Sequence, residues 1–170
     1  MPSLSFISTA HAIVVNGGKP IFVDVLPNQN INPDLIQAAI NDRTKAIMPV
    51  HMYGNLCDME SIMSIAKTNN LYVVEDCAAC QLSHDDKNRL AGTVGDIGSW
   101  SFENSKHITT GDGGIVATDN EEFAISMRKF SSAGFKNLTA VSGKTRISRD
   151  LFQDPNWERH DTLAYNYRMP

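Results

Sequence analysis

The chain has 170 residues, a formal net charge of -4, 42% hydrophobic and 20% charged residues, a globular composition long enough to bury a sizeable core. Its Lys and Arg are thinly spread, which excludes a nucleic-acid surface built on phosphate neutralisation, and no stretch approaches the ~20 consecutive apolar residues that span a bilayer. Three cysteines, an odd number, argue against a disulfide framework and fit the reducing cytoplasm.

The N-terminal "MPSLSFISTA" lacks the charged start and apolar block of a secretion signal. The stretch "LSFISTAHAIVV" is apolar and compatible with either a strand or a helix. "PIFVDV" (20–25) is the first strand candidate. "NPDLIQAAIND" follows with Pro33 at a first-turn position and Leu35, Ile36, Ala39 and Ile40 at helical spacing. "KAIMPV" (45–50) is a second strand candidate. "DMESIMSIAKTNN" opens on Asp58, a good N-cap, and puts Met59, Ile62, Met63 and Ala66 on one helical face.

"LYVVED" (71–76) is an aliphatic strand ending in Glu75 and Asp76. "GSWSF" (98–102) and "GIVATD" (114–119) are further strands, and "NEEFAISMRKF" is a helix with acids in its first turn, where the dipole favours them. Strands alternating with helices predict an α/β domain with a largely parallel sheet. Residues 132–161 are polar and weakly patterned, and read as a long excursion or flap. Both ends carry apolar or aromatic residues rather than polar linker, as expected of a piece of a longer protein.

Ligands of open α/β sheets sit beyond the carboxyl ends of the strands. "LYVVED" delivers Glu75 and Asp76 to that rim, although either acid could instead cap a turn or pair with a nearby base. Lys106, in "SFENSKHITTGDGG", follows the strand-like "GSWSF" after a short polar link and reaches the same rim. Burial among uncharged neighbours lets a lysine lose its proton and attack an aldehyde, and the glycines after it permit tight turns. A solvated loop lysine is the plain alternative. An acid-ended strand, a lysine and the Ser101 hydroxyl together suggest pyridoxal phosphate, which needs a lysine for its aldehyde and a carboxylate to keep its ring nitrogen protonated.

"PIFVDV", "RTKAIMPVHMYG", "VVEDCAA", "GDIGSWSFENSKHITTGDGGIVATD" and "YNYRMP" occur in this order, and with them the chain resembles the DegT–StrS family of pyridoxal-phosphate-dependent sugar aminotransferases. The resemblance covers nearly the whole chain. It implies part of a fold-type I large domain, a mostly parallel mixed sheet flanked by helices, over residues 1–170, without the upstream phosphate-binding segment and the C-terminal small domain. Lys106 matches the lysine that bonds the cofactor and moves the substrate proton. Asp76 matches the acid that pairs with the ring nitrogen, Ser101 a hydroxyl on the cofactor phosphate, and Phe6 an aromatic that stacks on the ring. Asn166 resembles an asparagine that reaches the neighbouring subunit's cofactor phosphate, which implies a homodimer with shared sites.

The implied reaction moves an amino group from an amino acid, such as glutamate, to a nucleotide-linked keto-deoxysugar in the biosynthesis of cell-surface polysaccharide or related sugars. Ala79 departs from the family, which carries there a glutamine that bonds the cofactor's ring hydroxyl; Gln81 is expected to point elsewhere if strand geometry continues. Relatives with histidine in place of the lysine carry out a dehydration. Here the matching position is Lys106 and His107 lies beside it, which favours transamination. A non-catalytic or regulatory copy is the reading that Ala79 would support and that Lys106, Asp76 and Ser101 oppose. Cys77-x-x-Cys80 reads as small buried thiols rather than a redox pair or half a metal site, because no second pair at metal-binding spacing accompanies it. No metal is expected.

Overall fold

The computed structural model describes residues 1–141, 143–144 and 146–167, with residues 143 and 144 described by their backbone alone. The chain divides into two compact units, Met1–Ala117 and Thr118–Pro170. Among the described residues no helix is long and apolar enough to cross a membrane.

The first unit begins with α1 (Ile7–Val14), so the ambiguous N-terminal stretch is a helix. The predicted strand at 20–25 is extended but makes no continuous ladder: Val23 bridges Pro2 in parallel and Val25 bridges Ile31 in antiparallel fashion. Its neighbours are the N-terminal tripeptide on one side and the tight 26–30 loop on the other, too short for more than isolated pairs. Asn32 caps the next segment by accepting from the Asp34 amide, but the predicted single helix is a 3₁₀ turn over Pro33–Leu35 followed by α2 (Ile36–Ala39). It stops early because Asn41 takes the Arg43 amide on its side chain and gives its own amide to the Thr44 hydroxyl, a local turn that competes with helix.

Strand β1 (Ala46–Ile47) pairs in parallel with β2 (Tyr72–Asp76). The pairing breaks at Pro49, which has no amide hydrogen, and resumes at a Val50–Asp76 bridge. Between them α3 (Met59–Thr68) starts on Asp58, whose carboxylate accepts from the amide and hydroxyl of Ser61 at 3.0 and 2.7 Å. Its buried residues Met59, Ile62 and Ala66 pack with Ile47 and Val73 in the main core. Met63, predicted on the same face, is partly buried against that cluster.

On the other side of β2 lies β3 (Ile97–Ser101), parallel, and then β4 (Gly114–Ala117), antiparallel, so the sheet order is β1-β2-β3-β4. This is the mostly parallel mixed sheet the sequence predicts. Its close packing behind β3 demands glycine: a Cβ on Gly98 would sit 2.0 Å from the Gly92 carbonyl, and one on Gly92, at φ +89°, would sit 2.2 Å from the Trp100 ring.

The second unit opens with α4 (Glu121–Ser131), capped by Asn120 accepting from the Phe123 amide. Within 132–161 lie a two-stranded antiparallel pair, β5 (Leu138–Thr139) and β6 (Gly143–Lys144), and the short α5 (Arg149–Gln153). The last residues of the "YNYRMP" block, 168–170, lie outside the described residues.

Candidate cofactor site

Alternation along β2 decides which of its two acids faces where. Val73 and Glu75 are fully buried, while Asp76 lies on the opposite face of the sheet. The register then carries that face across: Asp76 pairs with Ser99 on β3, so Ser101, two residues on, shares the Asp76 face. The sheet thereby brings an acid and a hydroxyl to one face at neighbouring carboxyl ends.

Asp76 is held by donors from two directions. The Thr9 hydroxyl donates to Oδ2 at 2.8 Å and the Ala78 amide to Oδ1 at 3.1 Å. Thr9 is buried in α1, and its amide donates to the Phe6 carbonyl at 3.1 Å. Phe6 therefore stands at the start of a helix that is tied to Asp76, with its side chain 74% exposed. Ser101 Oγ accepts from the Glu103 amide at 3.3 Å.

Lys106 lies in the loop that leaves β3 and returns to β4. The loop is closed by the Lys106 amide on the Glu103 carbonyl at 3.0 Å, and at its base by Phe102 to Gly113 at 2.8 Å. The Lys106 side chain is half-buried. The hydroxyl and amide of Ser105 hold Glu103 below the usual carboxylate range, with the Lys106 charge adding to the effect. Asn166 belongs to the second unit, where it bridges Ser132 and is exposed. It alternates with Tyr165 and Tyr167, whose rings pack against Phe130.

Glu75 faces the interior, as the alternative reading of the acid pair allowed. His51 Nδ1 accepts the Cys57 amide at 3.0 Å, which leaves the ring proton on Nε2 to donate to Glu75 at 2.9 Å. The amides of Gly92, Val94 and Gly95 donate to the same carboxylate at 2.8, 2.8 and 2.5 Å. Burial alone would raise the Glu75 carboxyl, but the hydrogen bonds from His51, Gly95 and Gly92 outweigh it and hold the group below its ordinary range. Glu75 is thus a structural hub. No sequence motif marks His51 as its partner.

His51, Glu75 and Cys77 place potential ligand atoms within 4.8 Å of one another, yet both nitrogens of His51 and both oxygens of Glu75 are already engaged. The hydrogen bond to Cys80, together with burial, pushes the Cys77 thiol up, and burial pushes Cys57 up to about 12. Such thiols are protonated and unreactive at neutral pH.

The strand does not continue past Asp76. A turn from Cys77 to Cys80 brings Gln81 back, so its Nε2 donates to the Ser101 carbonyl at 2.9 Å and to the Ala78 carbonyl at 3.2 Å. The expectation that Gln81 points elsewhere holds only for an unbroken strand. Its Oε1 is buried with no partner, an unmet acceptor beside Ser101. A carboxylate with lone pairs to spare and a hydroxyl on one sheet face, with a lysine in the loop beyond β3, are residue types that a phosphorylated pyridine aldehyde would need.

Parallel strands that carry an acid and a hydroxyl to one carboxyl edge, with a lysine loop beyond them, define the large domain of a fold-type I, pyridoxal-phosphate-type transferase. The chain belongs to the DegT/DnrJ/EryC1/StrS aminotransferase family, whose model matches residues 1–170. It is 37% identical over 171 residues to a GDP-perosamine synthase of Escherichia coli O157:H7, covering 99% of this chain and 42% of that protein. An aminotransferase from Psychrobacter cryohalolentis superposes with a TM-score of 0.83 at 35% identity, over 97% of this chain and 40% of that one. NtdA from Bacillus subtilis, solved with bound cofactor PMP, superposes at 0.73 with 39% identity, over 87% of this chain and 33% of its own. The chain thus spans about two fifths of the length of the synthase it matches.

Proposed function

We propose that the protein is a pyridoxal-phosphate-dependent aminotransferase that moves an amino group from an amino acid, such as glutamate, to a keto group on a nucleotide-linked deoxysugar. The observation that carries this reading is the Asp76 carboxylate, fixed by Thr9 and Ala78 on the same sheet face as Ser101. Family membership and the likeness to a GDP-perosamine synthase support the sugar substrate.

Bound here, the cofactor supplies an aldehyde that takes up the amino group and a ring that withdraws electrons. Lys106 Nζ would be the amine that holds the cofactor and the base that would carry the substrate's proton. Asp76 keeps the ring nitrogen's proton in place, Ser101 Oγ holds phosphate, and Phe6 offers a face to the ring. Asn166 reaches the phosphate in a partner subunit, which makes the working unit a homodimer. A lysine at position 106 supports transamination over dehydration. The reaction runs in the cytoplasm, a setting supported by three buried, unbridged thiols.

The test is an assay of the full-length protein with a panel of nucleotide keto-sugars and glutamate. Amino transfer to at least one sugar is expected. A protein that binds the cofactor yet turns over only free amino acids overturns the sugar assignment.

A further inference from the structure

We propose that Thr9, backed by Ser5, is a positioning residue that fixes the Asp76 carboxylate and the start of α1 relative to each other. The inference rests on the cofactor reading above. Ser5 and Thr9 stand four residues apart on either side of Phe6, with their hydroxyl oxygens 2.7 Å from each other. Either oxygen could be the donor taken alone. The next link removes the choice: a carboxylate only accepts, so Thr9 spends its single proton on Asp76 Oδ2 at 2.8 Å. Ser5 must therefore donate to Thr9, and the chain runs Ser5 to Thr9 to Asp76 in one direction.

The consequences are geometric. With Ala78 donating to Oδ1, each carboxylate oxygen has one fixed donor, and the plane of the group cannot turn. Thr9 is also a residue of α1, and Phe6 is the residue on which that helix begins. One buried hydroxyl thus couples the acid meant for the ring's nitrogen to the helix that carries the aromatic meant for its face. Thr9 touches neither cofactor nor substrate in this scheme; it acts through Asp76 and Phe6 by holding them in register.

The experiment uses the full-length protein as wild type, Thr9→Val, Thr9→Ser and Ser5→Ala. Pyridoxal phosphate affinity is measured by titration, followed by kcat, KM and the melting temperature without cofactor. Thr9→Val keeps the shape and removes the donor, so affinity and kcat each fall roughly tenfold, the cost of one hydrogen bond to a charged group, with KM unchanged. Thr9→Ser restores both. A Thr9→Val protein that melts lower but binds the cofactor as wild type does would overturn the inference, as would a Thr9→Ser as impaired as Thr9→Val. Should Thr9→Val not fold, Ser5→Ala decides: a loss of about threefold in affinity supports the relay and unchanged affinity overturns it. A wild type that fails to bind pyridoxal phosphate defeats the proposed function and this inference together. Binding by the wild type beside an indifferent Thr9→Val defeats this inference alone.

Discussion

Replacing Glu75 by Gln changes one oxygen to an NH₂ at a site where four donors converge. In one amide orientation the remaining oxygen still accepts from Val94 and Gly95, but the NH₂ faces the His51 Nε2 proton and the Gly92 amide. Turning the amide over exchanges the loss, leaving Val94 and Gly95 unmet instead. His51 cannot relieve the conflict by moving its proton, because Nδ1 accepts from Cys57. Two buried donors are stranded either way, at about 1–3 kcal/mol each, so Glu75→Gln destabilises by roughly 4 kcal/mol. The assay is urea unfolding followed by circular dichroism, with an unchanged slope. The sign with pH follows from the lowered Glu75 carboxyl: its stabilisation is complete above the unfolded value and is lost as pH falls through the folded one, below the usual range. Wild type therefore loses stability on acidification in that window, and Glu75→Gln lacks this component. A variant within about 1 kcal/mol of wild type, with the same acid dependence, would refute the hub.

Three further substitutions probe the cofactor site and a helix end. Asp76→Asn keeps the covalent link to the cofactor but lowers kcat by about two to three orders of magnitude, measured by steady-state kinetics, because a neutral amide no longer holds the ring's proton. Ala79→Gln restores the residue the family carries and tightens cofactor binding by about 1 kcal/mol in a titration; weaker binding would mean that Gln81 already fills the space. Asp58→Ala removes the cap of α3 and costs about 1 kcal/mol in urea unfolding, with cofactor affinity unchanged.

The sheet is legible because β-branched and aromatic residues cluster in short runs such as "LYVVED", "GSWSF" and "GIVATD", and "LYVVED" needs no partner to be read as a strand. Which of its two acids faced outward was not legible, because parity matters only once Val73 is known to face the core. The helix read in "NPDLIQAAIND" is short because side chains of Asn41 and Thr44 compete with its backbone, a contest that periodicity does not register. The strand at 20–25 has only the N-terminal tripeptide and a short loop to pair with, a property of the fold around it rather than of its own residues. Of the proposed site residues, Asp76 and Ser101 stand out at strand ends and Lys106 in the glycine-flanked loop that follows one. Thr9 does not: a Ser and a Thr four apart are commonplace, and only the chain crossing from α1 to β2 gives them a carboxylate to hold. The direction of Gln81 is not legible for a related reason, since the turn at Cys77 ends the strand geometry on which that expectation depends.

If Lys106 holds the cofactor as proposed, borohydride reduction fixes the two covalently. Full-length protein is reconstituted with pyridoxal phosphate, reduced, digested and mapped by mass spectrometry. One modified peptide carrying Lys106 is expected, and it is lost together with the visible absorbance in Lys106→Ala. A label on another lysine, or one that persists at full strength in Lys106→Ala, would contradict that assignment.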